Sequence, residues 1–332
     1  MSALVLEELP SCAALAAIEP EWRALWDRCP DATPFLRPEW ILPWCRHLGP
    51  ERLAAVTMRA EGRLVGLAPL FAWEDRGARV ASLLGAAVSD HLDVVFEHAH
   101  AEACADAHAA YLAAGPWDRC DLEPLRASSP LLAMPAPAGF RDARADGDVC
   151  PVLPLARGIA AVVPASMRGN LRRARARAAQ RGRLDLFTSG PARRAEILDA
   201  LCTLHGVRWG RAGERGMLAD RAVQAFHRDA SAGIEAEGAL RLHAAALDGR
   251  IIAALYAFSY RGVHSLYLHG YDPDLAPLSP GALLIAHAVE AAAREGAREV
   301  DFLRGRERYK SLWGADLGRA TYRRTLTREA ST

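Results

Sequence analysis

The sequence has almost no lysine. Lys310 is the only one among its 41 basic residues, which leaves 41 − 1 = 40 arginines. A guanidinium is a planar fork that stays charged, whereas an ammonium is a compact point charge whose pKa shifts on burial. The presence of a single lysine indicates a position at which arginine cannot replace it. The alternative is that Lys310 remains by chance at a surface position where either residue is accepted.

Net charge and long apolar segments are also missing. The 41 basic and 40 acidic side chains leave a net charge of +1, too small a field to hold duplex DNA. The longest apolar segments, such as 251–258, are far shorter than the roughly 20 residues that cross a bilayer. Residues 1–20 contain no basic segment, so we expect neither a secretory signal nor membrane insertion.

Motifs of several common sites are absent as well. The seven cysteines include no CxxC pair, which favours free thiols in a reducing, cytoplasmic compartment. No P-loop, no GxGxxG motif beside a strand and no nucleophile elbow is present, so neither nucleotide sites of these kinds nor Ser-His-Asp hydrolysis is indicated. We expect no metal, and the oligomeric state stays open.

The length predicts two domains. A chain of 332 residues exceeds the usual size of one hydrophobic core. Residues 127–164 are rich in Ala, Pro, Gly and Asp, and we interpret them as the connection, with an edge strand at 150–155. The expected domains are residues 1–150 and residues 151–332.

The two halves repeat one order of elements. In each, a β-hairpin with a glycine turn, at Gly62 or Gly249, precedes a strand, an acidic segment, a helix and a short strand. In the first half the expected strands are 53–59, 64–73, 79–84 and 118–122, with a helix at 101–114. In the second half they are 240–247, 251–260, 263–268 and 298–303, with a helix at 281–296. Further helices are expected at 11–28, 37–48, 165–182 and 192–208. Duplication of one α/β unit explains this order, although two hairpins could share it by chance.

Two segments are candidate anion sites. Ser279 suits a helix N-cap, Pro280 the first helical position and Gly281 a close backbone approach, and the free amides of a helix start bind phosphate. The helix at 165–182 and the residue after it carry arginines at 168, 172, 173, 175, 177, 181 and 183. No aromatic residue is interleaved there for base stacking, so a solvated face, an anionic acceptor or cofactor phosphates are favoured over nucleic acid.

Several short motifs are spread over residues 35–314. They are Phe35-Leu36-Arg37-Pro38-Glu39-Trp40, Asn170-Leu171-Arg172-Arg173-Ala174-Arg175, Tyr271-Asp272-Pro273, Ser279-Pro280-Gly281, Asp301-Phe302-Leu303-Arg304-Gly305, Glu307, Tyr309-Lys310 and Trp313-Gly314. This set resembles the GNAT-superfamily acetyltransferases associated with cellulose biosynthesis (CelD/BcsL-like). That family is similar in turn to Fem-type transferases, which are tandem GNAT folds.

The resemblance implies an α/β protein of tandem GNAT-like (acyl-CoA N-acyltransferase) folds, with mixed, mostly antiparallel sheets flanked by helices. It implies that acetyl-CoA or a related acyl-CoA lies against the strand ending at 268–270, with its pyrophosphate at the helix start. The implied cofactor-binding residues are Leu268, Gly270, Ser279, Pro280, Gly281, Ala282 and Arg304. In the first half the equivalent place holds Asp90 and Asp93, which would repel a pyrophosphate, so only the second half is expected to bind the cofactor.

Four residues are candidates for the chemistry of transfer. Tyr309 lies where the resemblance implies a tyrosine near the leaving sulfur, with core packing as the alternative. His269 titrates near neutrality and is a candidate base; Glu307 is the other, provided burial raises its pKa. Lys310 is expected to bind a substrate carboxylate or phosphate, or to hold Glu307 in position.

Six residues are candidates for binding the acceptor, namely Asp90, His91, Asp93, Arg208, Trp209 and Asp301. The first three form an acidic segment that could orient an amine if the halves face each other, or a solvated loop. Arg208 and Trp209 place a planar cation beside an aromatic ring, or simply end a helix. Asp301 could instead brace the nearby turn, with Arg304 as its partner, and Trp313 is expected to pack in the core.

Together these residues predict direct transfer of an acetyl or other acyl group from acyl-CoA to an amine, since no cysteine lies in a motif. The expected acceptor is a small molecule or glycan precursor, such as an amino sugar or polysaccharide precursor in cellulose or exopolysaccharide production. The alternatives are a Fem-like aminoacyl transferase that uses aminoacyl-tRNA, and a non-catalytic GNAT scaffold.

Overall fold

The chain folds into two compact units in the computed structural model. One comprises Met1–Asp148 with Arg319–Thr332, and the other Val149–Gly318. The structure describes residues 4–50, 52–156, 158–211, 213–315 and 317–330. The division differs from the expected 151–332 because the last strand, Leu317–Arg328, pairs antiparallel with Arg119–Arg126 of the first unit.

The first unit contains two sets of paired strands. Its helices are α1 Cys12–Ala17, α2 Glu19–Arg28, α3 Pro38–His47, α4 Ala101–Ala114 and α5 Pro130–Ala133. Its strands are β1 Leu4–Glu8, β2 Arg52–Leu53, β3 Val56–Ala60, β4 Arg63–Ala68, β5 Leu70–Asp75, β6 Ala78–Leu83, β7 Val95–Phe96, β8 Arg119–Arg126, the start of β9 Phe140–Pro154, and β15 Leu317–Arg328. One set is an antiparallel sheet in the order β1-β3-β4-β7. The other has the order β15-β8-β6-β5-β2, in which β6 and β8 are parallel.

The second unit is built around one series of strands. Its strands are the end of β9, β10 Leu184–Thr188, β11 Leu240–Leu247, β12 Arg250–Tyr260, β13 Val263–Tyr271 and β14 Glu299–Asp301. Its helices are α6 Ile159–Val162, α7 Ala165–Arg181, α8 Arg194–Arg211, α9 Arg221–Ala236, α10 Pro280–Arg294 and α11 Arg308–Ser311. The strand order is β10-β11-β12-β13-β14-β9, with β13 and β14 parallel and the other pairs antiparallel.

Both predicted hairpins are confirmed, and their turns have the same conformation. Glu61 and Gly62 between β3 and β4 have φ values of 51° and 78°, and Asp248 and Gly249 between β11 and β12 have 49° and 84°. Two positive φ values in a two-residue loop match the twist of the flanking strands. Each unit also contains a parallel strand–helix–strand crossover, β6-α4-β8 and β13-α10-β14. The predicted mixed α/β class is confirmed.

Prolines divide two elements that the sequence pattern predicted as continuous. Pro20 occupies the first turn of α2, where a missing amide N–H costs little, and the expected helix 11–28 divides at Ile18 into α1 and α2. Pro69 likewise separates β4 from β5 within the expected strand 64–73.

The core of the second unit lies between its strands and helices α7 and α10. Small residues on β11 and β12 bring the sheet close to the helices, which bury Leu283, Val289 and Leu171 against it. Trp313 joins this core at 1% exposure, as predicted. None of the helices in the described ranges has the length and hydrophobicity of a membrane span.

A buried arginine explains why β15 belongs to the first unit. Arg324 is fully buried, and its Nε and Nη2 donate to the two carboxylate oxygens of Asp142 at 3.0 and 2.9 Å. Its Nη1 donates to the carbonyl oxygens of Leu131 and Met134. A planar fork matches this arrangement of acceptors, and a lysine ammonium does not.

We expect Arg324→Lys to lower the free energy of unfolding by about 2–4 kcal/mol, because two or more charge-assisted hydrogen bonds are lost in a buried place. Urea denaturation of the full chain measures this change. The matched control is Arg323→Lys at the adjacent position, where an exposed guanidinium pairs with Glu123, and the expected loss there is below about 1 kcal/mol. Equal losses in the two variants would contradict this account.

Candidate functional site

Strands β13 and β14 pair over only part of their length. Val263–Ser265 of β13 lie beside Glu299–Asp301 of β14, and β13 then continues to Tyr271. Beyond Ser265 no described strand pairs with β13 on that side. Its backbone N–H and C=O groups there can bond an extended ligand. The predicted cofactor residues 268–270 lie in this open edge.

Glycine at position 270 has a packing role. A Cβ atom there would lie 2.8 Å from the backbone nitrogen of His205 and 3.1 Å from Leu204, both in α8. Real Cβ atoms do not come so close to backbone, so Gly270 lets the end of β13 pack directly on α8. This packing fixes the open edge beside the last turns of α8.

Helix α10 begins immediately after the loop that follows β13. Pro280 occupies its first position as expected, but Ser279 does not cap it with its side chain. Ser279 is in the left-handed conformation, with φ 54° and ψ 48°, and not in the extended conformation that is typical of a capping residue. Ser279 thus occupies the predicted N-cap position, but without a side-chain capping hydrogen bond. At Gly281 an added Cβ would lie 3.3 Å from the Tyr271 ring, so the small residue lets this ring pack against the helix start.

Arginines of α7 extend to the start of α10. Arg177 Nε donates to the carbonyl oxygen of Pro277 at 2.8 Å, and its Nη2 lies 3.5 Å from Ser279 Oγ. A cavity of about 320 Å³ lies here, lined by Met167, Asn170, Leu171, Arg173, Ala174, Arg177, Ser279, Ala282 and Leu312. The first-turn amides of α10 and these guanidinium groups together form a site suited to an anion.

His269 lies between Arg208 and Tyr309. Arg208 Nη1 lies 3.2 Å from His269 Nε2, and the rings of His269 and Tyr309 meet edge to face with centroids 5.3 Å apart. Burial, followed by the positive charges of Arg208, Lys310 and His205, lowers the pKa of His269 to about 3. A guanidinium only donates, so the neutral ring accepts at Nε2 and carries its proton on Nδ1.

Tyr309 is partly buried at the start of α11. Burial, and then the negative charge of Glu307, raises the pKa of Tyr309 above its usual range. The phenol therefore keeps its proton at physiological pH. Its ring packs against the hydrophobic core of the second unit as well as against His269.

Lys310 is buried, and backbone oxygens surround its ammonium. Nζ donates to the carbonyl oxygens of Leu303 at 3.1 Å, Arg304 at 2.7 Å and Gly305 at 3.4 Å, and Glu307 Oε2 lies 2.9 Å away. The side chain is 4% exposed. Of the two roles expected for Lys310, holding Glu307 fits this geometry, whereas binding a substrate anion does not. Residues 303–307 form a loop folded around the ammonium, here called the lysine loop.

Asp301 and Leu303 shape the entry to the lysine loop. Asp301 is buried at the end of β14, and its Oδ1 accepts a hydrogen bond of 2.7 Å from the amide of Leu303. Leu303 has φ 55° and Gly305 has φ 120°, so the backbone turns sharply here. Asp301 thus braces the turn, which is the alternative considered for it. Arg304 contributes its carbonyl oxygen to the Lys310 ammonium.

Arg208 and Trp209 lie at the end of α8. The Arg208 guanidinium carbon is 5.7 Å from the ring centroid of Tyr271 and 6.0 Å from that of Trp209. Trp209 also packs on His205, with ring centroids 5.8 Å apart. Arg208 therefore lies among aromatic rings on the side of His269 and Tyr309, and Trp209 packs between Arg208 and His205.

Asp90, His91 and Asp93 belong to the first unit. His91 and Asp93 are buried rather than on a solvated loop, and Asp90 is partly buried. Burial raises the pKa of Asp93 to about 7, although hydrogen bonds from Ser129 and from the Val94 amide act in the opposite direction.

Two features of this region were not predicted as site features. In the sequence, Arg177 belongs to a basic helix and Tyr271 to a family motif, and neither pattern by itself indicates a site. Their spacing along the chain does not show that both meet the start of α10. Among the described residues, no group of three or more His, Cys, Asp or Glu side chains is arranged to hold a metal ion.

Comparison with known proteins gives a consistent class. Residues 165–311 match the acetyltransferase (GNAT) domain profile Acetyltransf_6, and no curated protein sequence matches the chain. FemX is similar, with a TM-score of 0.65 and 11% identity over 92% of this chain and 95% of that one. The C-terminal domain (DUF2156) of a putative lysylphosphatidylglycerol synthetase from Agrobacterium fabrum is also similar. Its TM-score is 0.61 at 13% identity, over 93% of this chain and 91% of that one.

A third similar structure is a tandem GNAT protein from the clavulanic acid biosynthesis pathway. Its TM-score is 0.51 at 16% identity, over 99% of this chain and 100% of that one. At these identities the likeness concerns the fold, and the profile match locates the acetyltransferase domain in residues 165–311. The chain therefore has a tandem GNAT-like fold, and its residues 165–311 are a GNAT-type acetyltransferase domain.

Proposed function

We propose that this chain transfers an acetyl or other acyl group from acyl-CoA directly to an amine acceptor. One observation carries the proposal: the open edge of β13 leads to the start of α10, where Arg177 also reaches. The pantetheine arm of CoA is extended and carries amides that can bond a strand edge. Its pyrophosphate needs the N–H groups and guanidinium that meet at the helix start.

The reaction moves two protons. The neutral amine attacks the thioester carbonyl carbon, a C–N bond forms, the C–S bond breaks, and its electron pair leaves on sulfur. We assign Tyr309 to protonate the sulfur, because its raised pKa keeps the phenol protonated. We assign Glu307 to accept the amine proton, because its carboxylate is held on Lys310 and is half exposed, so an acceptor amine can reach it; the burial expected to accompany this role is not present. His269 is the weaker candidate because its Nε2 lone pair accepts from Arg208.

In this proposal Lys310 is a positioning residue. Three carbonyl oxygens and a carboxylate converge on one point, which suits a compact ammonium with three donors in a tetrahedral arrangement. A guanidinium spreads its donors in a plane and is larger. Lys310 thereby fixes Glu307 and, at the adjacent position, Tyr309.

The acceptor that we propose is an amino sugar or polysaccharide precursor, on the resemblance to the CelD/BcsL-like family alone. A second candidate function is aminoacyl transfer from tRNA, favoured by the exposed arginines of α7 and by the likeness to FemX in fold. A third is a GNAT scaffold without catalysis. Binding measurements separate the three.

Arg177→Ala is expected to weaken acetyl-CoA binding about tenfold, or about 1.4 kcal/mol, because one guanidinium is lost beside the pyrophosphate. Isothermal titration calorimetry measures the dissociation constant. Arg181→Ala, an exposed arginine in the last turn of the same helix, is the matched control and should bind like the wild type. Salt-dependent tRNA binding without acetyl-CoA binding would favour the aminoacyl alternative; intact acetyl-CoA binding without turnover of any amine in a broad panel would favour the scaffold.

Lys310→Arg is expected to lower both the midpoint of thermal unfolding and the turnover number, the latter at least about tenfold, because a guanidinium cannot occupy the ring of carbonyls. Scanning calorimetry and an acetyl-transfer assay measure the two effects. The reciprocal exchange Arg308→Lys, at an exposed position of α11, is the control and should change neither quantity. A wild-type unfolding midpoint and turnover number in Lys310→Arg would show that either basic residue is accepted at this position.

Tyr309→Phe is expected to lower kcat about 100-fold with an unchanged acetyl-CoA dissociation constant, since the ring is kept and only the proton donor is lost. The raised pKa of Tyr309 further predicts that deprotonation of the phenol causes no loss of wild-type kcat below about pH 10. Steady-state kinetics from pH 6 to 10 checks both. An unchanged kcat in the variant would assign Tyr309 to packing.

A further inference from the structure

The first unit contains a cavity that the acyl-transfer proposal does not use. Its volume is about 630 Å³, within the range of small-molecule sites. The walls come from the turn after α2, β7, the first turns of α4, and the chain around α5. Apolar side chains form much of the lining, among them Leu36, Val95, Phe96 and Ala105.

A buried carboxylate lies in the wall of this cavity. Asp93 lines it and is 6% exposed. Both of its hydrogen bonds end on Oδ1, from Ser129 Oγ at 2.8 Å and from the Val94 amide at 2.9 Å. Within the described part of the chain no hydrogen bond reaches Oδ2. The carboxylate is therefore oriented by the fold, and one oxygen stays available.

The other charged groups of the lining determine whether the cavity favours a positively or a negatively charged ligand. Asp31, Glu102 and Asp106 add negative charge, while Arg126 and His98 are the basic side chains. Arg126 already donates to the carbonyl oxygen of Asp31. The start of α4 contributes a partial positive charge, which the carboxylate of Glu102 in its first turn offsets. Acidic groups outnumber basic ones, so the cavity favours a cation.

We propose that this cavity binds a small organic cation, with its ammonium on Asp93 Oδ2 and its apolar part against the aliphatic and aromatic wall. Three features carry the proposal: the cavity volume, the excess of carboxylates in its lining, and an oxygen of the buried Asp93 side chain that no hydrogen bond from the described residues reaches. The site lies within the first unit and does not depend on acyl-CoA binding in the second.

The protonation of Asp93 makes binding depend on pH. Burial raises its pKa to about 7, Asp31 acts in the same direction, and Ser129, the Val94 amide and Arg126 act against it. An ammonium binds the ionised carboxylate, whose population rises about tenfold from pH 6 to pH 8 for a pKa near 7. Affinity should therefore increase with pH over this window. His98, Glu102 and Asp106 also face the cavity.

The test titrates benzylamine and its neutral isostere benzyl alcohol into the full chain at pH 8, with saturation-transfer NMR to measure binding. We expect saturable binding of benzylamine, at least about tenfold tighter than that of benzyl alcohol. Asp93→Asn, which keeps the shape of the side chain, should weaken benzylamine binding about tenfold or more. Asp146→Asn, an exposed carboxylate of the same unit, is the matched control and should leave it within about twofold.

Three outcomes would overturn the proposal: no saturable binding of benzylamine, equal binding of the two probes, or an Asp93→Asn variant that binds like the wild type. The comparison of probes and the pH series need only wild-type protein, so they stand even if the variant fails to fold. A pH dependence that persists in Asp93→Asn would assign the titration to another group of the lining and count against Asp93. Acetyl-CoA binding, measured on the same samples, shows separately whether the proposed transferase site is intact.

Discussion

The end of hydrogen bonding between β13 and β14 is the constraint on which the second unit depends. These parallel strands separate after Ser265 and Asp301, so each backbone must continue without the other. The released edge of β13 leads to the start of α10, and the released end of β14 turns into the lysine loop. The helix amides and the Tyr309 phenol lie on these two released segments, and Arg177 of α7 meets the first of them at Pro277 and Ser279.

Two buried cations show why basic residues are not interchangeable here. Arg324 faces the two oxygens of one carboxylate and two carbonyls, an arrangement that extends over a plane. Lys310 faces three carbonyls and a carboxylate that converge on one point. The geometry of the acceptors, rather than charge, selects the residue. The near-total use of arginine elsewhere leaves this one exception visible in the sequence.

Local patterns predicted what depends on neighbours in the chain. Glycine turns predicted both hairpins, and Pro280 predicted the first position of α10. Tertiary contacts decided the rest. The Arg208–His269 hydrogen bond joins two distant segments, and it changes His269 from a candidate base into a ring whose lone pair is already occupied. The left-handed backbone at Ser279 could not be predicted because serine rarely adopts it.

The cavity around Asp93 likewise combines a feature that the local sequence shows with contacts that only the fold creates. Its acidic motif is visible in the sequence, but its walls come from segments as distant as the turn after α2 and α5. Likewise β15 returns to the first unit because Arg324 finds acceptors near α5, a contact for which sequence periodicity gives no signal.

The burial of Lys310 has a chemical consequence for an enzyme that handles activated acyl groups. Thioesters acylate exposed lysine amines without any catalyst, and most proteins offer many such amines. Here the side chain of the only lysine is 4% exposed, and its ammonium is held by backbone oxygens. The chain therefore presents no side-chain amine on its surface to the proposed thioester donor, and arginine supplies positive charge without becoming a substrate.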